Sequence, residues 1–565
     1  MKIKDIKYVR VDINKAINFI ENMTAQMKNA RSGREMAAIR EKYIAREKRI
    51  QTMCSLGNIR FTLNTADEFY RKEKEYFDNN LPRLSAAATE FNKAFLSNPH
   101  LGESFGLINP NVAKNYELSL KIMDEKIVPD MAEESRLMTQ YSRIMSEMMF
   151  SFNGSQMPFS VIRKHFDDAD RSVRREAMNT AGQTMREFSG DLDAIFDRLV
   201  HVRRRMAQKM GFKSYAEMGD CRMGRYSYGR KEIKAFRNEV KKYVVPVVGQ
   251  LRRDRAEKLG IEQIMLYDYE TYFAAGNPEP ILSDAEMFDA AQRMYHEMGK
   301  ETSEFIDMML AADAFDVFPR QGKWGGGYCT SLDDYGQPFI LANFNGSAGD
   351  VDVLTHEAGH ALAFFEQFRQ NVDYELGTGT MSIAEIHSMA MEFFTWKHMT
   401  AFFGARADDY RYYHLLSSMT FLPYGCQVDE FEETCYDNPD MTPEERNQLW
   451  NKLDIYYRPY LKTEGIEYFE KGTRWQYQMH IYENPMYYID YCFSQTVAHQ
   501  FLLLSQQNYK EAFDKYLTLI KKGGSLPFGE IVESAGLKDP LRAGVTAETT
   551  QNVAKLAEKL AERCE

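Results

Sequence analysis

Proline breaks or kinks a helix, and this chain of 565 residues contains only 17 prolines. Long stretches between them place apolar residues at three-and-four spacing among charges. The clearest are residues 35–53 (EMAAIREKYIAREKRIQTM), 66–96 and 167–211. A mainly α fold follows, with the charged runs as solvated helix faces. The Met-rich stretch 129–160 is expected to carry the boundary between an N-terminal helical region (1–160) and a second region (161–565). No fixed-period repeat or low-complexity tract is present.

Composition narrows the function classes. Hydrophobic residues make up 44% of the chain, enough for a large core, and the net charge of -11 disfavours nucleic acid and anionic membrane as partners. The start, MKIKDIKYVRVDINKAINFI, lacks the apolar run of a signal peptide, and no stretch of about 18 apolar residues occurs anywhere. The cysteines number seven, an odd count without a C-x-x-C pair, which fits free thiols in a reducing, cytoplasmic setting. The sequence is silent on oligomeric state.

One segment departs from the helical pattern. Residues 323–350 (KWGGGYCTSLDDYGQPFILANFNGSAGD) are rich in Gly, Asn and Asp around short β-like runs. Two strands are expected, Tyr328–Leu332 and Phe339–Phe344, joined around DDYG. A helix follows over VDVLTHEAGHALAFFE (351–366), then a loop over 371–382, then another helix from Ser382 or Ile383.

The first of these two helices carries His356-Glu357-Ala358-Gly359-His360. Residues four apart lie on one helix face, so both imidazoles can reach one ion. In H-E-x-x-H the histidines hold Zn²⁺ and the glutamate takes a proton from its water. Gly359 costs about 1 kcal/mol relative to alanine in mid-helix. Close approach of another backbone would explain it. A third ligand is needed. The metzincin route fails, because Ala363 and Glu366 stand where Gly and His are required. Glu385 is the first candidate, although Ser382–Glu385 also reads as a capping box, and Glu392 is the second. Asp373 and Glu375 lie in the loop, and His387 points away from Glu385.

Three segments in order, DVLTHEAGHAL, SIAEIHSMAMEFF and QMHIYENPMYYIDYCFSQTVAHQFL (478–502), resemble the oligoendopeptidase F and Pz-peptidase branch of the thimet oligopeptidase family. Weaker similarity extends over most of the chain from about residue 165. The resemblance implies two helical halves enclosing a deep channel, a small sheet beside the zinc, and hydrolysis of short peptides at internal bonds. It implies one zinc per chain on His356, His360 and Glu385, with Glu357 as general base. It implies a substrate-binding histidine at His480 and transition-state tyrosines near Tyr488 and Tyr491. The choice between Tyr487 and Tyr488 stays open, since the spacing departs slightly from thimet-type members. His499 reads as structural.

A strand over Phe339–Phe344, with Phe339 and Ala342 along it, is expected to pair with peptide backbone as a sheet edge. Gly326 and Gly327 are expected in a flexible substrate loop. Two rival readings remain. One is a zinc carboxypeptidase-type exopeptidase with a terminal-charge clamp at Arg458, Arg474 or Lys471. The other is a non-catalytic peptide-binding protein.

Overall fold

A computed structural model describes residues 2–564. At the N-terminal end α1 (Ile13–Asn29), α2 (Gly33–Leu63), α3 (Glu68–Leu96) and α4 (Asn111–Ile122) pack on one another. Their starts are capped: Ser32 accepts the Glu35 amide, and Asp67 accepts those of Phe69 and Tyr70. These bonds satisfy donors that a first helical turn leaves unpaired. α5 (Val128–Glu147) takes Pro129 in its first turn, where no helical amide bond is lost. α6 (Arg171–Met210) runs 40 residues and ends at Gly211, whose φ of 86° suits only a residue without Cβ. The expected helical stretches are thus helices, with α2 running ten residues beyond the expected 53 and the other ends displaced by a few residues.

The stretch 129–160, expected to carry the boundary, also holds a hairpin. β1 (Phe150–Phe152) pairs antiparallel with β2 (Ser155–Met157) through Asn153-Gly154, both at positive φ. The second sheet has three strands: β3 (Phe315–Asp316), β4 (Tyr328–Leu332) and β5 (Gln337–Leu341), in the order β3-β5-β4. β4 lies where it was expected. β5 begins two residues before the expected start, and it is the central strand. Its second side is taken by the β3 segment, through Ile340 N–H to the Ala314 carbonyl (3.0 Å) and Ala342 N–H to that of Asp316 (2.9 Å). The expectation of an edge at Phe339 and Ala342 is therefore corrected: β5 is central, and β4 is an edge strand of this sheet.

α7 (Ala348–Gln370) carries the H-E-x-x-H residues and packs on α8 (Met381–Phe394), which in turn packs on α10 (Tyr488–Gln507); α9 (Ala407–Asp437) also packs on α10. The residue before the first turn of α8 is Thr380, not Ser382, and its side chain makes no capping bond. The loop between α7 and α8 is tied to the N-terminal helices, with Arg40 bridging Asp373 (2.5 Å) and Glu375. Leu376 is buried in the N-terminal apolar cluster, while α7, α8 and α10 share the larger one. No helix among the described residues is long and apolar enough to cross a membrane.

Candidate metal centre and active site

The contact between α7 and α8 is made by backbone. A Cβ at residue 359 would lie 2.5 Å from the His387 carbonyl oxygen and 2.7 Å from Ser388 Cα. Gly359 lets the helices meet there, which brings Glu385 to the two histidines. Its Oε2 lies 3.4 Å from His356 Nε2 and 3.3 Å from His360 Nε2. Ligands at about 2.0–2.1 Å from a tetrahedral ion sit about 3.3 Å apart, so this spacing matches the edges of a zinc tetrahedron. The donor set, two imidazole nitrogens and one carboxylate oxygen, also fits zinc and leaves a fourth position open.

Glu385 is 2% exposed. It accepts from the Ser388 hydroxyl at 2.9 Å and from the Tyr487 hydroxyl. It does not cap α8. Burial alone would raise its carboxyl, but His360 and His356 outweigh burial and hold it well below its ordinary value. Glu392 stands on the outer side of His356. One of its oxygens is 2.6 Å from His356 Nδ1 and the other 2.7 Å from His414 Nε2. Trp396 donates its indole N–H to His414 Nδ1 at 3.1 Å. An indole can only donate, so His414 carries its proton on Nε2 and gives it to Glu392. Glu392 then accepts the Nδ1 proton of His356 and leaves Nε2 free for an ion. Glu392 thus orients the His356 ring and lies outside the three-residue cluster that could hold an ion. Burial works against its charge, yet the two histidines hold its carboxyl at about 2.

Half-buried Glu357 has no hydrogen-bond or ion-pair partner among the described residues. Burial raises its carboxyl above the ordinary value, against the lowering effect of His356 and His360. The donor cluster from 480 to 491 assembles opposite. The His480 ring lies 4.9 Å from that of Tyr488 and 5.8 Å from those of Tyr487 and Tyr491, between centroids. The Tyr424 hydroxyl donates to Gln478 Oε1 (2.7 Å), which turns Gln478 Nε2 toward His480 Nδ1 (3.0 Å). His480 therefore carries its proton on Nε2. Burial lowers its pKa to about 4, so the ring is neutral at neutral pH.

Residues 3–123 match the peptidase M3 N-terminal domain, and residues 165–550 match peptidase family M3. The chain belongs to peptidase family M3. This M3 peptidase is similar to Pz peptidase A solved with an inhibitor, at 35% identity and a TM-score of 0.96 over 100% of both chains. It is similar to a Bacillus anthracis str. Ames structure assigned as oligoendopeptidase F, at 33% identity and a TM-score of 0.92 over 100% of this chain and 99% of that one. Oligopeptidase PepF of Bacillus subtilis (strain 168) is 21% identical over 406 residues, which are 68% of this chain and 57% of that protein.

The other expected residues of the M3 peptidase fall as follows. Tyr491 has its hydroxyl in the field of Glu385 and Glu357, beside Tyr487. Tyr488 faces Tyr424 and Phe421. Gly326, Gly327, Ala342, His480 and Tyr488 share the wall of a cavity of about 1260 Å³, whereas Phe339 is buried in the sheet. The glycine stretch is tied down: Asn343 donates to the carbonyls of Trp324 (2.9 Å) and Gly326 (2.8 Å). Asp373 and Glu375 are spent on Arg40. His387 is buried, has no partner on either ring nitrogen, and lies outside the ligand cluster. His499 bonds Ser418 at 2.9 Å inside the core. Sequence reasoning missed the roles of His414, Trp396, Gln478 and Tyr424. Each acts through a partner that no local spacing reveals.

Proposed function

We propose that this M3 peptidase is a zinc-dependent endopeptidase that hydrolyses internal bonds of short peptides. The observation that carries this reading is the unpartnered Glu357 carboxylate beside three ligands spaced for one tetrahedral ion. His356, His360 and Glu385 would hold the zinc, which would supply Lewis acidity toward the scissile carbonyl and lower the pKa of a water. Glu357 takes the proton of the attacking water and delivers it to the leaving amine. Its raised carboxyl suits both halves of that task. His480, with its proton on Nε2, and Tyr491, close to Glu357, donate to the developing oxyanion. Tyr487, engaged with Glu385, steadies the ligand, and Tyr488 forms part of the substrate wall.

The β4 edge strand, Tyr328–Leu332, offers backbone groups to an extended peptide, so affinity need not read side chains. Gly326 and Gly327 let that peptide lie close to the wall. A cavity of about 1260 Å³ suits a short flexible chain and not a folded domain. Residues 161–565 supply all of these groups, and we assign them as the catalytic region beside a helical region over 1–160. Seven free cysteines support a reducing, cytoplasmic setting.

Internally quenched peptides blocked at both ends test the reading. Cleavage within the blocked peptides, dependent on zinc, is the expected result. Trimming of free-ended peptides alone would replace it with the exopeptidase reading. Tight binding without turnover would replace it with the non-catalytic one.

A further inference from the structure

Most buried guanidinium groups in this fold sit against carboxylates. Arg203 bonds Glu134 at 2.7 Å, Arg225 bonds Asp490 at 2.8 Å and Arg446 bonds Asp197 at 2.6 Å. Arg474 breaks the pattern. It is 9% exposed, yet no carboxylate partners it. Its Nε donates to the Tyr477 hydroxyl at 2.6 Å, and neither terminal nitrogen has a hydrogen-bond partner among the described residues. The group lies 5.1 Å from the ring centre of Tyr424, 5.3 Å from that of Tyr269 and 5.9 Å from that of Tyr477. Aromatic faces hold a cation in place without neutralising it. A desolvated charge left this way is costly unless something else completes it.

Two further observations say what completes it. Arg474 stands in the wall of the cavity that also holds His480 and Tyr488, so its free donors meet whatever occupies that space. The ring of Tyr424, on which it rests, bonds Gln478, which bonds His480. The cation is thus built into the framework that presents a donor to the reacting bond. Arg252 also lacks a carboxylate, but it donates to the backbone carbonyls of Asp268 and Tyr269 and is not in the cavity wall. The other basic candidates near this end are not in the cavity wall. Arg458 pairs with Asp454, and Lys471 is 63% exposed beside Glu467.

We propose that Arg474 is a specificity residue that binds a carboxylate of the peptide substrate. A planar fork of N–H donors matches a carboxylate in two-point contact. The carboxylate comes either from the peptide's C-terminus or from an Asp or Glu side chain near the cleaved bond. The proposal rests on the peptide-cleaving reading above and adds the class of substrate to it.

The test is a series of N-acetylated peptides around one cleaved sequence. One arm exchanges the free C-terminus for an amide. The second exchanges Asp for Asn at each position on both sides of the bond. The wild type is expected to favour one carboxylate form by at least about tenfold in kcat/KM. In Arg474→Gln that ratio falls to near one, and in Arg474→Lys it is intermediate. A preference lost only on amidation assigns the terminal carboxylate, and one lost only on Asp-to-Asn exchange assigns the side chain. Absence of any preference in the wild type overturns the proposal, whatever the variants do. So does a ratio that survives in Arg474→Gln while both members of the pair slow alike, since that is the mark of a structural role. Should the wild type cleave no peptide of the series, the peptidase reading fails instead.

Discussion

Gly359→Ala is the most searching perturbation of the centre, because it changes no ligand, base or donor. In an isolated helix the substitution stabilises by about 1 kcal/mol. Here the new Cβ meets the His387 carbonyl oxygen at 2.5 Å and Ser388 Cα at 2.7 Å, and both are backbone atoms of a packed helix. Ordinary contact begins near 3.4 Å, so α7 and α8 must part by roughly 1 Å. Overpacking of this kind costs about 1–3 kcal/mol, which leaves a net loss of up to about 2 kcal/mol after the helix gain. The larger effect falls on the ion. Both histidines are on α7 and Glu385 is on α8, with the donors 3.3–3.4 Å apart. Metal–ligand distances tolerate only about ±0.2 Å, so a 1 Å opening breaks the set. Zinc affinity is expected to fall by at least about tenfold, as for loss of a supporting shell. Competition with a chromophoric chelator measures it, and thermal unfolding with and without zinc separates the stability term. Wild-type zinc affinity together with an unchanged Tm would refute the backbone-contact reasoning.

Glu357→Gln is expected to keep full zinc and lose about 10²–10⁴ in kcat; unchanged cleavage rejects Glu357 as the base. Glu392→Gln should weaken zinc about 10–100-fold, and Trp396→Phe should weaken it less by releasing the His414 tautomer; equal affinity in both variants and the wild type removes that chain from ligand orientation. Gln478→Glu reverses the hydrogen bond on His480 Nδ1, so kcat should drop and its acid limb should move above the value of about 4 set by burial; a wild-type pH profile excludes the tautomer argument. Glu432 accepts from the Met486 amide at 3.1 Å with its second oxygen unpartnered, and burial pushes its carboxyl up to about 8. Its folded value exceeds the unfolded one, so its contribution is fully present below about 4.3 and is lost as pH rises toward 8, by up to about 1.4 kcal/mol per pH unit. Denaturant titrations of Glu432→Gln should show a flatter loss over that window, and an identical slope would count against the burial assignment.

What the sequence made legible here is what short spacing encodes. Three-and-four periodicity marks α2, α3 and α6 because helix burial follows a 3.6-residue repeat whatever the partner is. The same geometry sets His356 above His360 and makes Gly359 a sign of close packing. Misreadings arise where two local rules compete or where a partner is remote. Ser382 and Glu385 satisfy the capping-box spacing, which left a cap as the rival to the ligand reading; Glu385 instead turns inward to two half-buried imidazoles. β5 appeared to be an edge because β3 is two residues long and carries no alternation to detect. Asn153-Gly154 did signal its hairpin, yet it lay inside a stretch read only as a boundary between regions.

The protons follow a different logic from the ligands. His356 and His360 are four residues apart, but the proton on His356 depends on Glu392, 36 residues away, and on His414, a further 22. Glu385 is steadied by Tyr487 across 102 residues. Imidazole supplies a lone pair to an ion only if its other nitrogen keeps a proton, and that choice belongs to the surrounding fold. The five-residue motif therefore specifies which atoms can meet an ion. Helices α8, α9 and α10 specify whether those atoms arrive in the state that binds one. A chain retaining H-E-x-x-H but losing Glu392 or Trp396 should look intact in sequence and bind zinc poorly.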